Sequence, residues 1–162
     1  MKIMVIGPGR WGSFIAWYLK KIGHEVLLYG LNGTEDFENF KKSRTNGIIT
    51  LQDDLELTDD ITRAKECDVI HVSINAQGFR NVCEELKSIG IKDKIIVTNM
   101  KGIEISTGKR LSEVCKEIMD ESNKVAAWIG PGHPQEFYRN VPNCMVIDSE
   151  DEDVKELLIE NY

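Results

Sequence analysis

Short apolar segments alternate with longer segments of helical periodicity along the whole chain. Several of the short segments, such as Ile95–Val97, contain no polar residue. Strands that are covered by helices on both faces of a sheet are apolar throughout, so this pattern favours a mostly parallel sheet. The predicted strands are Ile3–Ile6, Val26–Tyr29, Ile48–Thr50, Val69–Ser73, Ile95–Thr98, Val125–Ile129 and Met145–Ile147.

Between these strands, apolar residues recur at spacings of three and four, which is typical of helices with one buried face. Val82, Leu86 and Ile89 form one such stripe. The polar segment Gly30–Asn46 is predicted to be a variable loop or a short helix. The alternation of strands and helices predicts an α/β fold, doubly wound, with helices on both sheet faces. The predicted helices are Trp11–Ile22, about Asp60–Glu66, Phe79–Ser88, Leu111–Glu121 and Asp151–Glu160.

A glycine motif directly follows the first predicted strand. Gly7, Gly9 and Gly12 form the pattern Gly-x-Gly-x-x-Gly, and a predicted helix follows them. In a dinucleotide-binding unit, the first glycine permits a tight turn, the second lets the backbone approach a pyrophosphate, and the third allows close packing. The positive end of the helix dipole then faces the pyrophosphate. Most glycine turns bind nothing, but this placement between strand and helix predicts a Rossmann-like dinucleotide-binding domain.

Length, charge and cysteine spacing limit the classes of protein. The 162 residues suit a single domain over 1–162, and 20 Lys and Arg against 27 Asp and Glu give a net charge of −7. This charge argues against nucleic acid or an anionic membrane as a partner. No apolar run approaches the length of a membrane span, so we expect a cytoplasmic protein.

Four cysteines lie far apart along the sequence, and no Cys-x-x-Cys pair is present. The spacing therefore predicts neither a metal site nor a redox dithiol. We interpret Cys67, Cys83, Cys115 and Cys144 as free, mostly buried thiols.

Glycine-rich or polar segments follow several of the predicted strands. Because ligands bind at the carboxyl ends of the strands in an open α/β sheet, these segments are candidates for the site. Gly7–Gly12 is similar to the motif G-x-G-x-W-G, Ile74–Arg80 to V-P-S-x-A-L-R, Lys101–Ile103 to K-G-I, and Gly130–Glu136 to G-P-S-F-A-x-E. On these ordered motifs, nearly the whole chain resembles the N-terminal domain of NAD(P)-dependent glycerol-3-phosphate dehydrogenases.

The resemblance implies a role for each matching residue. Lys101 would contact the nicotinamide side of the cofactor and the substrate, and it is the catalytic candidate. Its ammonium group can stabilise negative charge that develops during hydride transfer. Gly130, Gly132 and His133 would bind the substrate together with Lys101. The residues that would bind the cofactor are Gly7, Gly9, Arg10, Trp11, Gly12, Asn75, Ala76, Lys101 and Pro134.

The chain departs from the family pattern at three places, where Asn75-Ala76 replaces Pro-Ser, Gly132 replaces Ser, and His133-Pro134 replaces Phe-Ala. Loss of the serine hydroxyl removes one hydrogen bond to the substrate, which is worth about 1 kcal/mol. These departures therefore affect the identity of the substrate more than the identity of the cofactor.

Some candidates also have a simpler interpretation. Lys101 alone, at the end of a strand, is typical of a solvated charge, and only its Lys-Gly-Ile context favours a functional role. His133 fits a substrate contact and a solvated turn residue equally well. His71 lies in a predicted buried strand and is interpreted as a hydrogen-bonded core residue.

The choice between NAD and NADP rests on the tip of the second strand, Tyr29–Thr34. Neither an acidic residue nor an arginine stands there, although NAD-binding units usually carry an acid at this place. Asn32 and Thr34 could hydrogen-bond a hydroxyl or a 2′-phosphate, while Glu35 and Asp36 are interpreted as loop charges. The absence of a carboxylate at the tip favours NADP, and NAD stays open.

The resemblance implies reversible hydride transfer between NAD(P)H and dihydroxyacetone phosphate, a small phosphate substrate, giving sn-glycerol 3-phosphate. In the family, the general-base lysine lies in a second, all-helical domain, which we expect to be absent from this chain. The chain alone is then expected to bind cofactor with little turnover. Two alternatives stay open: an NAD(P)H-sensing or partner-binding module, and another two-domain hydroxy- or keto-acid dehydrogenase. A homodimer is also left open.

Overall fold

The computed structural model describes residues 1–162. Seven strands form one sheet: β1 (Lys2–Ile6), β2 (Glu25–Tyr29), β3 (Glu56–Thr58), β4 (Val69–Val72), β5 (Ile95–Thr98), β6 (Lys124–Ile129) and β7 (Val146–Ser149). Their order is β3-β2-β1-β4-β5-β6-β7. All neighbouring pairs are parallel except β6 and β7, which are antiparallel. This confirms the predicted Rossmann-like, doubly wound fold.

Helices connect the strands and cover both faces of the sheet. They are α1 (Arg10–Lys21), α2 (Glu35–Ser43), α3 (Phe79–Ser88), α4 (Leu111–Ile118), α5 (Pro134–Tyr138) and α6 (Glu152–Asn161), with 3-10 turns at Ile61–Glu66 and Ala76–Gly78. None of them combines the length and the apolar character that a membrane crossing requires.

The apolar strands are buried from both sides. Along β1, Met4 and Ile6 pack into the layer that contains α3 and α4, while Ile3 and Val5 pack into the layer of α1 and α6. All four side chains are at most 2% exposed. Burial of such a side chain contributes about 1.5–3 kcal/mol, which explains why the four positions from Ile3 to Ile6 are all apolar.

The predicted strand Ile48–Thr50 is wrong, because the third strand lies at Glu56–Thr58. Ile49 is fully buried, but in a loop that packs against the layer of α1 rather than in the sheet. Arg44 holds this loop by donating to the backbone oxygen of Leu55 at 2.5 Å. The apolar run therefore correctly predicted that Ile49 is buried, but it wrongly predicted that the segment is a strand of the sheet.

Other boundaries differ less from the prediction. The segment Gly30–Asn46 contains α2, whose first turn carries acidic side chains that favour a helix N-terminus. The predicted helix Leu111–Glu121 ends at Ile118, because Met119 adopts an extended conformation. The segment Asp60–Glu66 is helical but of the 3-10 type.

Candidate functional site

The turn between β1 and α1 leaves no space for two of its glycine side chains. Gly7 has a φ of 106°, and a Cβ there would overlap the backbone oxygen of Ser73 at the end of β4. A Cβ on Gly12 would overlap the backbone oxygen of Gly7. Strand, turn and helix are therefore packed against one another through the backbone, as the glycine motif predicts.

Gly9, between them, faces open space. A Cβ on Gly9 would have Asp36 Oδ2 as its nearest neighbour, at 3.9 Å. The residue forms the N-terminal cap of α1, and no side chain caps this helix end. The first N–H groups of a helix have no partner within the helix, so they are free to bind an anion here. The turn thus provides a backbone cradle that is open where a pyrophosphate would approach.

Two cavities meet at Gly9 and together form one groove along the carboxyl edge of the sheet. Gly9, Ser73, Ile74 and Asn75 line both of them. The first cavity has a volume of about 490 Å³ and is lined in addition by Arg10, Trp11, Ala76, Asn99, Met100, Lys101, Ile129, Gly130 and Met145. The second has a volume of about 630 Å³ and also includes Gly7, Tyr29, Gly30, Leu31, Thr34, Glu35, Asp36, Val82 and Glu85.

The charges of the two cavities have opposite signs. Arg10 and Lys101 are the charged residues that line the first cavity, and neither side chain forms an ion pair in the structure. Glu35, Asp36 and Glu85 line the second cavity, which has no lysine, arginine or histidine in its lining. One half of the groove therefore favours anionic groups and the other half disfavours them.

The loop that carries Lys101 is held by side chains of the segment after β4. The Gln77 amide donates to the backbone oxygen of Ile103 and accepts from the backbone N–H of Ile105, each at 2.9 Å. Arg80 donates to both oxygens of Glu104, at 2.7 and 2.9 Å. Arg80, followed by Thr107, lowers the pKa of the Glu104 carboxyl to about 2. These contacts fix the loop that follows Lys101.

Comparison with known proteins yields a match over nearly the whole chain. The family model described as "NAD-dependent glycerol-3-phosphate dehydrogenase N-terminus" matches residues 2–155.

The chain belongs to this family.

Curated members of the family are similar to the chain in their N-terminal halves. The glycerol-3-phosphate dehydrogenase of Thermoanaerobacter sp. (strain X514) is 35% identical over 153 residues, which cover 92% of this chain and 46% of the relative. That of Fusobacterium nucleatum is 32% identical over 161 residues, covering 95% of this chain and 48% of the relative. The chain spans about half the length of the curated relatives it matches.

Solved structures support the fold. A glycerol-3-phosphate dehydrogenase from Coxiella burnetii matches with a TM-score of 0.88 and 21% identity, covering 99% of this chain and 50% of that one. A UDP-D-ManNAc dehydrogenase from Pyrococcus horikoshii matches with a TM-score of 0.75 and 15% identity, covering 100% and 44%. At these identities the likeness concerns the architecture alone.

Most of the residues that the family resemblance pointed to come together in the groove. Gly9, Arg10, Trp11, Asn75, Ala76, Lys101 and Gly130 line the first cavity, and Gly7 lines the second. Their proposed roles stay predictions, but residues from the ends of β1, β4, β5 and β6 share one edge of the sheet as expected.

Four predicted residues, Gly12, Gly132, His133 and Pro134, lie outside the lining of both cavities, and Gly12 packs against the backbone of Gly7 instead. Gly132 is buried, and a Cβ there would overlap the side chains of Asn143 and Phe137. His133 is exposed just before α5, where its backbone N–H donates to Glu136 Oε2 at 3.1 Å. Pro134 is the buried first residue of α5.

The structure adds residues that the sequence did not indicate. Asn99, Met100, Ile129 and Met145 line the first cavity. Asn99 stands directly before Met100 and Lys101, so its place after a strand was the only available signal. Tyr29 and Glu85 line the second cavity, where burial and the Glu85 charge raise the pKa of Tyr29.

The remaining histidine and cysteine predictions concern the core. His71 is fully buried and hydrogen-bonded, which confirms its interpretation as a core residue. All four cysteines are free; Cys144 is exposed, and the other three are buried. Burial raises the pKa of the Cys67 thiol to about 11.

Proposed function

We propose that this chain forms the cofactor-binding half of a glycerol-3-phosphate dehydrogenase and binds a nicotinamide dinucleotide along the two-cavity groove. The observation that carries the proposal is that Gly9, at the free N-terminus of α1, and Lys101, at the end of β5, line the same cavity. A pyrophosphate on the helix end would leave the two halves of a dinucleotide in the two cavities. Cavities of this size are typical of small-ligand sites.

The chemistry of each half of the groove fits one half of the cofactor. The bound nicotinamide would supply or accept the hydride in the first cavity. Lys101 would donate a hydrogen bond to the substrate oxygen that gains negative charge during reduction. Arg10 lines the same cavity and adds positive charge for a phosphate group. The substrate that we propose is dihydroxyacetone phosphate, with sn-glycerol 3-phosphate as its reduced form.

We further propose that the chain prefers NAD(H) to NADP(H). The sequence favoured NADP because no carboxylate stands at the tip of β2, but Glu35 and Asp36 line the second cavity from the first turn of α2. Glu85 faces the same cavity from α3. A 2′-phosphate there would meet three carboxylates without a counter-charge, and like charges at an interface cost several kcal/mol.

The net charge of −7 and the two cationic residues of the first cavity support our expectation about the kind of partner. A small anionic metabolite suits the local positive charge of Arg10 and Lys101, whereas a polyanion would be repelled by the overall charge. We also propose a cytoplasmic location, because all four cysteines are free, as is usual in a reducing compartment.

Cofactor titration tests the proposal. The 162-residue chain is titrated with NADH and with NADPH while the tryptophan fluorescence is followed, since Trp11 lines the first cavity, and Gly9→Val serves as the matched variant. We expect saturable NADH binding, NADPH binding weaker by about tenfold or more, and loss of both in Gly9→Val. Glu35→Gln together with Asp36→Asn should narrow the difference between the two nucleotides. Absence of saturation with either nucleotide at millimolar concentration would refute the proposal.

The role of Lys101 is tested in an enzyme that also carries the second domain of the family. Lys101→Ala should lower kcat/KM for dihydroxyacetone phosphate by at least about tenfold, or 1.4 kcal/mol of transition-state stabilisation. The affinity for NADH should change less, because the glycine turn is untouched. Wild-type kcat/KM in the variant, or robust turnover by residues 1–162 alone, would contradict this assignment.

A further inference from the structure

A series of hydrogen-bonded side chains runs from Tyr162, at the C-terminal end of the sequence, to the first cavity. His71 lies in β4 and is fully buried. Its Nε2 is 2.7 Å from the hydroxyl of Tyr162, and its Nδ1 is 2.9 Å from Asn99 Oδ1. Asn99 Nδ2 in turn donates to the backbone oxygen of Trp128 at 2.9 Å. The ring of Trp128 packs against His71, with centroids 5.7 Å apart.

The direction of every hydrogen bond in this series follows from its last acceptor, the backbone oxygen of Trp128. The carbonyl oxygen of Trp128 can only accept, so the atom of Asn99 that faces it must be the amide nitrogen. Asn99 Oδ1 is then the atom that faces His71, and Nδ1 of the imidazole must carry the hydrogen. Burial lowers the pKa of His71 to about 4, so near neutral pH its Nε2 accepts the proton of Tyr162.

The amide of Asn99 is therefore fixed in one orientation. A flip by 180° would place its nitrogen against the Nδ1–H of His71 and its oxygen against the carbonyl of Trp128, which would break both hydrogen bonds. An asparagine amide has two N–H groups, and Trp128 accepts from one of them. Asn99 is half-buried and lines the first cavity beside Lys101, so the second N–H is available there.

We propose that Asn99 donates a hydrogen bond to a ligand oxygen in the first cavity, and that His71 is the positioning residue which keeps this donor in place. The inference rests on the proposed function, because the ligand is the dinucleotide or its substrate. Two oxygens have the required chemistry: the carboxamide oxygen of the nicotinamide ring and an oxygen of the reducible substrate. Asn99 binds the ligand, and His71 acts only through Asn99.

Substitutions of each group separate positioning from packing. Asn99→Leu keeps the size of the side chain and removes the donor, and we expect NADH or substrate binding to weaken by about tenfold. His71→Phe keeps a ring packed beside Trp128 and Tyr162 but releases the Asn99 amide, and it should weaken binding by a smaller factor. His71→Asn, unlike His71→Phe, has an N–H group that can donate to Asn99. Its affinity for the ligand should therefore lie between those of His71→Phe and the wild type. Tyr162→Phe removes only the far hydroxyl and should leave the affinity within about twofold.

NMR spectroscopy of the 15N-labelled chain provides the decisive readout. We expect His71 as the neutral tautomer with hydrogen on Nδ1, and a shift of the Asn99 side-chain amide signals when ligand binds. A shift with NADH but not with ADP-ribose identifies the carboxamide as acceptor. A shift that requires NADH together with dihydroxyacetone phosphate identifies the substrate.

The outcomes that overturn the inference are distinct from those that overturn the proposed function. If the wild-type chain binds no NADH, the proposed function fails and the inference fails with it. If NADH binds but the Asn99 signals stay unchanged with every ligand, or Asn99→Leu binds like the folded wild type, only the inference fails. The opposite tautomer, with hydrogen on Nε2, would also refute it.

Discussion

The glycine turn after β1 and the loop after β5 reach the same edge of the sheet, but different forces hold them in place. In the turn, Gly7 and Gly12 bring backbone against backbone, and no side chain caps α1. In the loop, Gln77 and Arg80 reach across from the neighbouring segment and bind Ile103, Glu104 and Ile105. The turn is held by close backbone packing at glycines, and the loop is held by hydrogen bonds and an ion pair from side chains.

The difference determines how each region responds to change. A turn that is packed through its backbone has no flexible atom that could move aside, so an added methyl group must displace the helix itself. A loop that is held by several side-chain contacts can lose one of them and keep the others. We therefore expect one substitution in the turn to lower the stability of the fold strongly, and one substitution in the loop to lower it only slightly.

The largest effect is expected from Gly12→Ala. The new methyl group would overlap the backbone oxygen of Gly7, so α1 must move away from β1. We expect a loss of about 3 kcal/mol or more in the free energy of unfolding, together with loss of NADH binding. Denaturant unfolding and the fluorescence titration measure the two effects.

Gly78→Ala is the matched control for this substitution. Gly78 has an ordinary φ of −87°, and a Cβ there would lie 3.4 Å from the nearest atom, Ile74 Cδ1. The control should unfold at the same denaturant concentration as the wild type or a slightly higher one. If Gly12→Ala and Gly78→Ala lowered the free energy of unfolding equally, close backbone packing at Gly12 would not be the cause of the effect.

A smaller effect is expected from Arg80→Met in the loop region. The substitution leaves the nearly buried Glu104 carboxylate with only Thr107 as its side-chain partner. In the wild type, the pKa of Glu104 is lowered from 4.5 to about 2, chiefly by Arg80. Its ion pair therefore stabilises the folded state above about pH 4.5, and this contribution is lost as the pH falls toward 2.

Melting temperatures between pH 7 and pH 3 test this prediction. Arg80→Met should melt at a lower temperature than the wild type at pH 7, and the difference should shrink toward pH 3. Arg110→Met, which breaks the exposed ion pair with Glu113, should melt like the wild type. A difference between Arg80→Met and wild type that does not depend on pH would exclude the ion pair as its cause.

The smallest effect is expected from Gln77, whose amide makes two hydrogen bonds near the surface. Gln77→Met removes both, and we expect a cost of about 1 kcal/mol, with faster hydrogen exchange at the Ile105 amide. In Gln77→Glu the carboxylate still accepts from the Ile105 N–H but cannot donate to Ile103. The exchange rate of the Ile105 amide in this variant should therefore lie between those in Gln77→Met and the wild type. Unchanged exchange in Gln77→Met would show that Arg80 alone holds the loop.

Local rules were sufficient to predict the turn but not the loop contacts. Gly7, Gly9 and Gly12 stand within six residues of one another, and the physics of a strand, turn and helix acts over that distance. The contact between Arg80 and Glu104 joins residues 24 positions apart, and the one between His71 and Tyr162 spans 91. No periodicity encodes such distances, so neither pair could be predicted.

Two errors have a shared physical cause. The run Ile48–Thr50 was assigned to a strand because it is apolar, and Glu35 and Asp36 were assigned to a loop because they are charged. Hydrophobicity reports whether a side chain is buried, but it does not report the partner or the cavity that the side chain faces. Ile49 is buried in a loop, and the two acidic residues line the second cavity.

The contrast among the four cysteines makes the site accessible to selective chemistry. Cys67, Cys83 and Cys115 are buried, while Cys144 is exposed and its backbone oxygen lies 2.6 Å from the position of a Cβ on Gly130. A thiol-reactive fluorophore would therefore label the folded protein at one place, next to Met145 in the cavity lining. Its emission would report directly on whether the first cavity is filled, with every tryptophan left unchanged.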